Sequence, residues 1–97
     1  MTVRYSARAI GDLSGIADYL VSRSPQGAKS LETAIHRTIK LVAAFPRAGR
    51  IVEQRRHVRV MPVGRYPYLI FYTVKGDDIL VLHVRHASRK PVMPSTL

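Results

Sequence analysis

The sequence predicts an α+β fold: one short strand, a helical hairpin, then a three-stranded antiparallel meander carrying the two helices in a second layer. Two periodicities support this. Between residues 7 and 46 apolar residues recur every three or four positions, the period of an amphipathic helix. After "FPRAGR" the period falls to two, and turn signals divide the apolar segments, as in strands. Size is the third observation. Ninety-seven residues, 46% of them apolar, suffice for a single domain with one core and exceed the apolar content of a disordered chain.

Each element can be justified in turn. "TVRYS" alternates, with Val3 and Tyr5 on one side, and predicts the first strand. Ser6 is placed to cap the first helix. From Ala7 to about Arg23, the residues Ile10, Leu13, Ile16, Ala17 and Leu20 form one helical stripe. Gly11 and Gly15 weaken it by about 1 kcal/mol each relative to Ala, and are expected to permit close packing. In "SRSPQG", Ser24 before Pro25 reads as an N-cap with proline at the first helical position. Ala28, Leu31, Ile35, Ile39 and Val42 then make a second stripe that ends before Pro46. Two such helices joined by a short turn form a hairpin. The outward charges Asp12, Asp18, Lys29, Glu32, Arg37 and Lys40 are expected to be mostly solvated.

In "RRHVRVMPV", Val58 and Val60 alternate with His57, Arg59 and Met61. Gly64 and Arg65 suit a turn. "YPYLIFYTV" is a near-continuous apolar run, as in a strand at the middle of a sheet. "KGDD" signals a tight turn, and "ILVLHV" is the last strand. An apolar sheet face needs a cover, so the helices are expected on one side. The alternation suggests that they take the face of Val58, Val60, Leu80, Leu82 and Val84. Residues 90–97 read as a loose tail.

Charge is the strongest compositional signal. Sixteen Lys and Arg oppose six Asp and Glu, for a net +10. Residues 1–46 carry +3 and residues 47–97 carry +7, so the excess lies in the second half. Such a surplus favours nucleic acid, an anionic surface or an acidic protein partner over simple solubility. No cysteine is present, which excludes disulfide and thiol chemistry and suits a reducing cytosol. The N-terminal "MTVRYSARAI" has no apolar core of a secretory signal, and no apolar run approaches the roughly 20 residues of a membrane span. A cytoplasmic location without membrane contact is expected.

The candidate site is "VLHVRHASRKP", which begins as a buried strand and ends with His83, Arg85, His86, Arg89 and Lys90 in eight positions. With His83 and Arg85 on the face away from the helices, Arg59 and His57 could join them if the register allows. Three chemistries fit. Phosphodiester cleavage needs a base, an acid and cations for the phosphorane charge, and His and Arg supply those types. Recognition of an anionic partner needs only the charge. The third option is a solvated strand end. Zinc is disfavoured, because His83 and His86 are three apart on a strand and no Cys or well-placed carboxylate joins them. A DNA-reading helix pair is disfavoured too, because the charge lies on the strands and no third helix supports the pair. No cofactor is expected.

"YSARAIGDLSGIADYL", "FPRAGR" and "RVMPVGRYPYLIFYTVKGDDILVLHVRHASR", in that order, resemble the RelE/ParE superfamily of toxins from type II toxin–antitoxin modules. The resemblance runs from about Val3 to Arg89 and is greatest to the ParE branch, also called plasmid-stabilisation toxins. It implies the same strand, helical hairpin and meander, and a toxin neutralised by a cognate antitoxin in a hetero-oligomer. It leaves two activities. ParE-like members poison DNA gyrase. RelE-like members cut messenger RNA on the ribosome without metal, using basic sheet residues and a C-terminal Tyr or His. Here the matching positions are Arg59 and Arg85, followed by His86 and Arg89. The last tyrosine is Tyr72, and Lys75 is the only lysine between Phe45 and the last strand. These departures favour a gyrase inhibitor with no catalytic residues, in which Arg59, Arg85, His86, Arg89 and Lys90 bind the target or antitoxin. The alternative is an endoribonuclease using Arg59, Arg85, His83 and His86. The resemblance and the charge together imply an acidic antitoxin segment, disordered when free, that wraps the toxin.

Overall fold

A computed structural model of the chain describes residues 2–88. Both helices start at the predicted caps. Ser6 Oγ accepts a hydrogen bond from the Ala9 N–H (3.0 Å) and opens α1, Ala7–Val21. Ser24 Oγ accepts from the Gly27 N–H (3.0 Å) and opens α2, Pro25–Ala44, with Pro25 in its first turn. Each cap pairs an amide that the helix itself cannot satisfy. On α2 the stripe Leu31, Ile35, Ile39 and Val42 is buried as expected. On α1 the buried line is rotated from the expected one: Ala9, Leu13, Ile16 and Leu20 pack inward, while Ile10 is 58% exposed and Ala17 is exposed. Ala9 is small enough to bring α1 close to the sheet, and it sets the helix rotation.

The strands are β1 (Thr2–Tyr5), β2 (Arg50–Val52), β3 (Arg55–Pro62), β4 (Tyr68–Lys75) and β5 (Asp78–His86). They form one sheet in the order β1-β5-β4-β3-β2. The predicted meander is β3-β4-β5, antiparallel throughout. Its turns hold Gly64 and Gly76 at φ of 51° and 58°, a left-handed region that glycine enters without steric penalty. Two features go beyond the sequence expectation. β1 pairs parallel to β5, from Thr2 with Asp78 to Tyr5 with Val81. A parallel neighbour requires a long crossover, and the helical hairpin supplies it. The three-residue β2 adds an edge strand antiparallel to β3, too short to show a period in sequence.

A bulge in β5 changes which side chains share a face. Phe71 pairs with His83 and Tyr72 with Val81, leaving Leu82 as the extra residue. Ile79, Val81 and Val84 consequently pack under the helices with Ile70 and Tyr72. Val58, Val60 and Phe71 form a separate cluster with Val52, Leu69 and Leu82 on the opposite face. The expectation that Val58, Val60, Leu80 and Leu82 face the helices is therefore reversed, and only Val84 does so. Alternation shows which residues travel together. It does not show which of two apolar faces the helices select. Among the described residues no helix is long and apolar enough to cross a membrane.

Candidate functional site

The end of β5 runs past its neighbour. β1 stops at Tyr5, opposite Val81, so from Leu82 onward one edge of β5 has no strand beside it. Side chains take over the missing ladder. Ser6 Oγ donates to the Leu82 carbonyl (2.9 Å), and the Val84 N–H donates to Asp12 Oδ2 (3.0 Å). Buried backbone groups need such partners. Beside this edge lies a groove of about 1010 Å³. One wall is α1, through Gly11, Gly15, Ile16 and Tyr19; the other holds Tyr66, Tyr68 and the end of β5. A Cβ added at Gly11 or Gly15 would meet nothing within 4 Å. The two glycines thus leave the groove wall smooth, and the expected close packing is not made within this chain.

His83 is only 5% exposed. Its Nδ1 lies 2.6 Å from Asp12 Oδ2, and its ring stacks on Phe71 at 5.6 Å between centroids. Burial is the main force lowering the His83 pKa, with the positive fields of Arg8 and Arg85 adding and the Asp12 carboxylate opposing. The imidazole is neutral at pH 7. The carboxylate can only accept, so Nδ1 carries the proton and donates to Asp12. Nε2 is left as a buried lone pair with no hydrogen-bond partner among the described residues. The expectation of a solvated Asp12 is thus corrected. Its place on α1, three residues after Ala9 and four before Ile16, puts it beside the buried line, and the sequence contains that signal.

Of the other predicted site residues, Arg85 and His86 line the same groove as His83, and Arg59 does not join them. Arg85 lies on the face away from the helices, its guanidinium 5.4 Å from the Phe71 ring centre, with Nη1 donating to the His86 carbonyl. His86 lies on the groove side, edge-on to Tyr68, and its Nδ1 accepts from the Ser88 N–H (3.1 Å). Arg59 is on the helix face, paired with Tyr72, and its Nη1 donates to the carbonyls of Gly49 (2.7 Å) and Arg47 (3.2 Å). The register therefore does not bring Arg59 and Arg85 to one surface. His57 is exposed, two residues before Arg59 and so on Arg59's side of β3. Arg89 and Lys90 lie outside the described residues. No cluster of three or more His, Asp or Glu able to hold a metal occurs among the described residues.

Arg59 belongs to a clamp on the segment "FPRAGR". The Tyr72 hydroxyl, fully buried, donates to the Pro46 carbonyl (2.8 Å) and accepts from the Gly49 N–H (2.9 Å). A Cβ at Gly49 would stand 2.6 Å from that hydroxyl, which only glycine avoids. Proline ends α2, glycine admits the tyrosine, and Arg59 closes the loop from the other side.

Comparison with known proteins agrees with this architecture. Residues 3–91 match the family described as the ParE toxin of the type II toxin–antitoxin system parDE. The chain is 31% identical to Toxin RelE2 of Caulobacter vibrioides, over 90% of this chain and 96% of that one. It is 28% identical to Toxin RelE1 of the same organism, over 88% and 91%. Among solved structures, the chromosomal ParDE toxin–antitoxin system of P. aeruginosa superposes with a TM-score of 0.77 at 27% identity, covering 91% of this chain and 97% of that chain. With strand, helical hairpin and meander in the same order, and a family match over nearly its whole length, this chain belongs to the ParE toxin family of type II toxin–antitoxin systems.

Proposed function

We propose that this toxin inhibits DNA gyrase by binding, with no chemistry of its own, and that an acidic antitoxin segment neutralises it by lying in the groove beside β5. The observation that carries the first part is that His83 is engaged inside the fold and Arg59 is separated from Arg85. A ribonuclease needs a base, an acid and a phosphate cation converging on one phosphodiester. Here His83 is buried, neutral and tied to Asp12, and Arg59 holds a loop on the helix face, while Arg85 stays with His83 beside Phe71 on the opposite face from Arg59. His86 lines the same groove, packed edge-on against Tyr68. This arrangement supports recognition over catalysis.

The second part follows from the family, which implies an antitoxin partner, and from the groove itself. Its walls are apolar and aromatic, its α1 side is free of side chains at Gly11 and Gly15, and Arg8, Arg85 and His86 border it. An amphipathic segment with carboxylates along one side fits such a site. A paired assay tests the target. Purified toxin is added to a gyrase supercoiling reaction and to a translating extract read by primer extension. Inhibited supercoiling and intact transcripts are expected. Cuts within codons alongside normal supercoiling would replace this reading with ribosome-dependent mRNA cleavage, using Arg59, Arg85, His83 and His86.

A further inference from the structure

The β2–β3 hairpin carries charge that neither the fold nor the groove uses. Residues 47–59, "RAGRIVEQRRHVR", hold five Arg against one Glu, a net +4 of the chain's +10. Arg47, Arg50 and Arg56 are exposed and make no side-chain hydrogen bond or ion pair among the described residues. Elsewhere several arginines are engaged: Arg4 pairs with Asp78, Arg23 covers the Tyr19 ring, and Arg59 grips the loop; Arg37 and Arg65 are exposed singly, on α2 and in the turn before β4. Within the hairpin, donors exceed acceptors. Glu53 is exposed and pairs with none of its neighbours, and Arg55 Nε is buried with no acceptor among the described residues. The hairpin is also at the opposite edge of the sheet from the groove, with β4 between it and β5.

We infer that this hairpin is a docking surface for duplex DNA, held through phosphates. Arg50 pairs with Val60, and Arg56 lies four residues before Val60 on the same face of β3. That spacing is about 13 Å of strand, comparable to the width of the DNA major groove, about 12 Å. The charge is unpaired and exposed, as counterion-releasing phosphate contacts require. The segment contains no Phe, Tyr or Trp, and His57 is its single aromatic ring, so it offers little of the stacking surface on which successive unpaired bases are held. β2 is short, with a register shift between Ile51 and Val52, which makes this edge a poor template for a peptide strand. These features favour backbone recognition of a duplex. The inference holds whatever the toxin's target, because it concerns a different surface from the antitoxin groove.

The test is binding of the purified toxin to a short labelled DNA duplex by fluorescence anisotropy, across about 50–200 mM salt. The triple variant R47Q/R50Q/R56Q should flatten the slope of log K against log salt by about 2.7, and weaken binding on the order of 10²-fold near 0.1 M. R47K/R50K/R56K, which keeps the charge, should retain the slope. K29Q/R37Q/K40Q removes the same charge from exposed positions of α2 and should leave most of the affinity. Thermal melting of each variant checks the fold, and no loss is expected from residues without partners. Equal losses in the two glutamine triples would overturn the inference in favour of net charge alone. So would an unchanged slope in R47Q/R50Q/R56Q, or equal affinity for single-stranded RNA. A hairpin variant that loses antitoxin affinity while keeping the DNA slope would assign the surface to the antitoxin instead.

Discussion

The two edges of the sheet use polar residues in opposite ways. Where β5 runs past β1, most polar groups pair within the chain: Asp12 takes both His83 Nδ1 and the Val84 N–H, and Ser6 takes the Leu82 carbonyl, with His83 Nε2 left over among the described residues. The surface left over is an apolar groove. Where β2 and β3 turn, Arg47, Arg50 and Arg56 stand without partners among the described residues. A basic residue close to a strand end is therefore not by itself a site. What distinguishes a structural charge from one kept for a partner is whether the fold has already engaged it.

The contrast can be broken most sharply in the groove. The double variant G11E/G15E should weaken antitoxin binding about 100-fold or more, near 3 kcal/mol. It should also raise stability by up to about 1 kcal/mol, since glycine is a poor helix former and no atom opposes the new side chains. Titration calorimetry beside thermal melting reads both. Unchanged affinity would move the antitoxin elsewhere. Next, Asp12→Ala strands the His83 Nδ1 donor and the Val84 N–H together, a loss of about 2–3 kcal/mol in urea unfolding. Arg50→Ala, at the other edge, should stay within about 0.5 kcal/mol. Equal effects at the two sites would erase the distinction.

A smaller change is expected for Tyr72→Phe. It leaves the Gly49 N–H and the Pro46 carbonyl without their shared hydroxyl, and about 1.5 kcal/mol should be lost. The smallest effect is on pH dependence. His83 has a folded pKa below the ordinary value of 6.5, so below 6.5 the unfolded chain binds more protons than the folded one. Its contribution is complete above 6.5 and is lost as pH falls through the depressed folded value. Denaturation between pH 7 and 5 should show this decline, and His83→Asn should remove that part of it.

Much of the fold is legible in the sequence because helix and strand periods differ and because serine caps and glycine turns mark the boundaries. The face of the sheet is not. Both sides of "YLIFYT" are apolar, and the Leu82 bulge shifts the parity of everything after it. Arg59 and Arg85 are equivalent as alternating strand residues, yet the register puts one above a loop and the other above Phe71. Asp12 resembles a surface charge, although its neighbours Ala9, Leu13 and Ile16 place it beside the core. The clamp of Tyr72 on Gly49 joins residues 23 apart, and no local pattern announces it.

If the toxin acts by binding, His83 is a structural residue and its lone pair at Nε2 has no chemical task. His83→Asn separates the two roles, because the asparagine Nδ2 can donate to Asp12 from the position of Nδ1 while Nε2 disappears. The measurement is inhibition of gyrase supercoiling by this variant beside the wild type, with thermal melting to establish that it folds. Undiminished inhibition is expected. A folded variant that has lost toxicity, in a wild-type protein that cuts mRNA and spares gyrase, would refute the binding mechanism and make the buried imidazole part of a catalytic site.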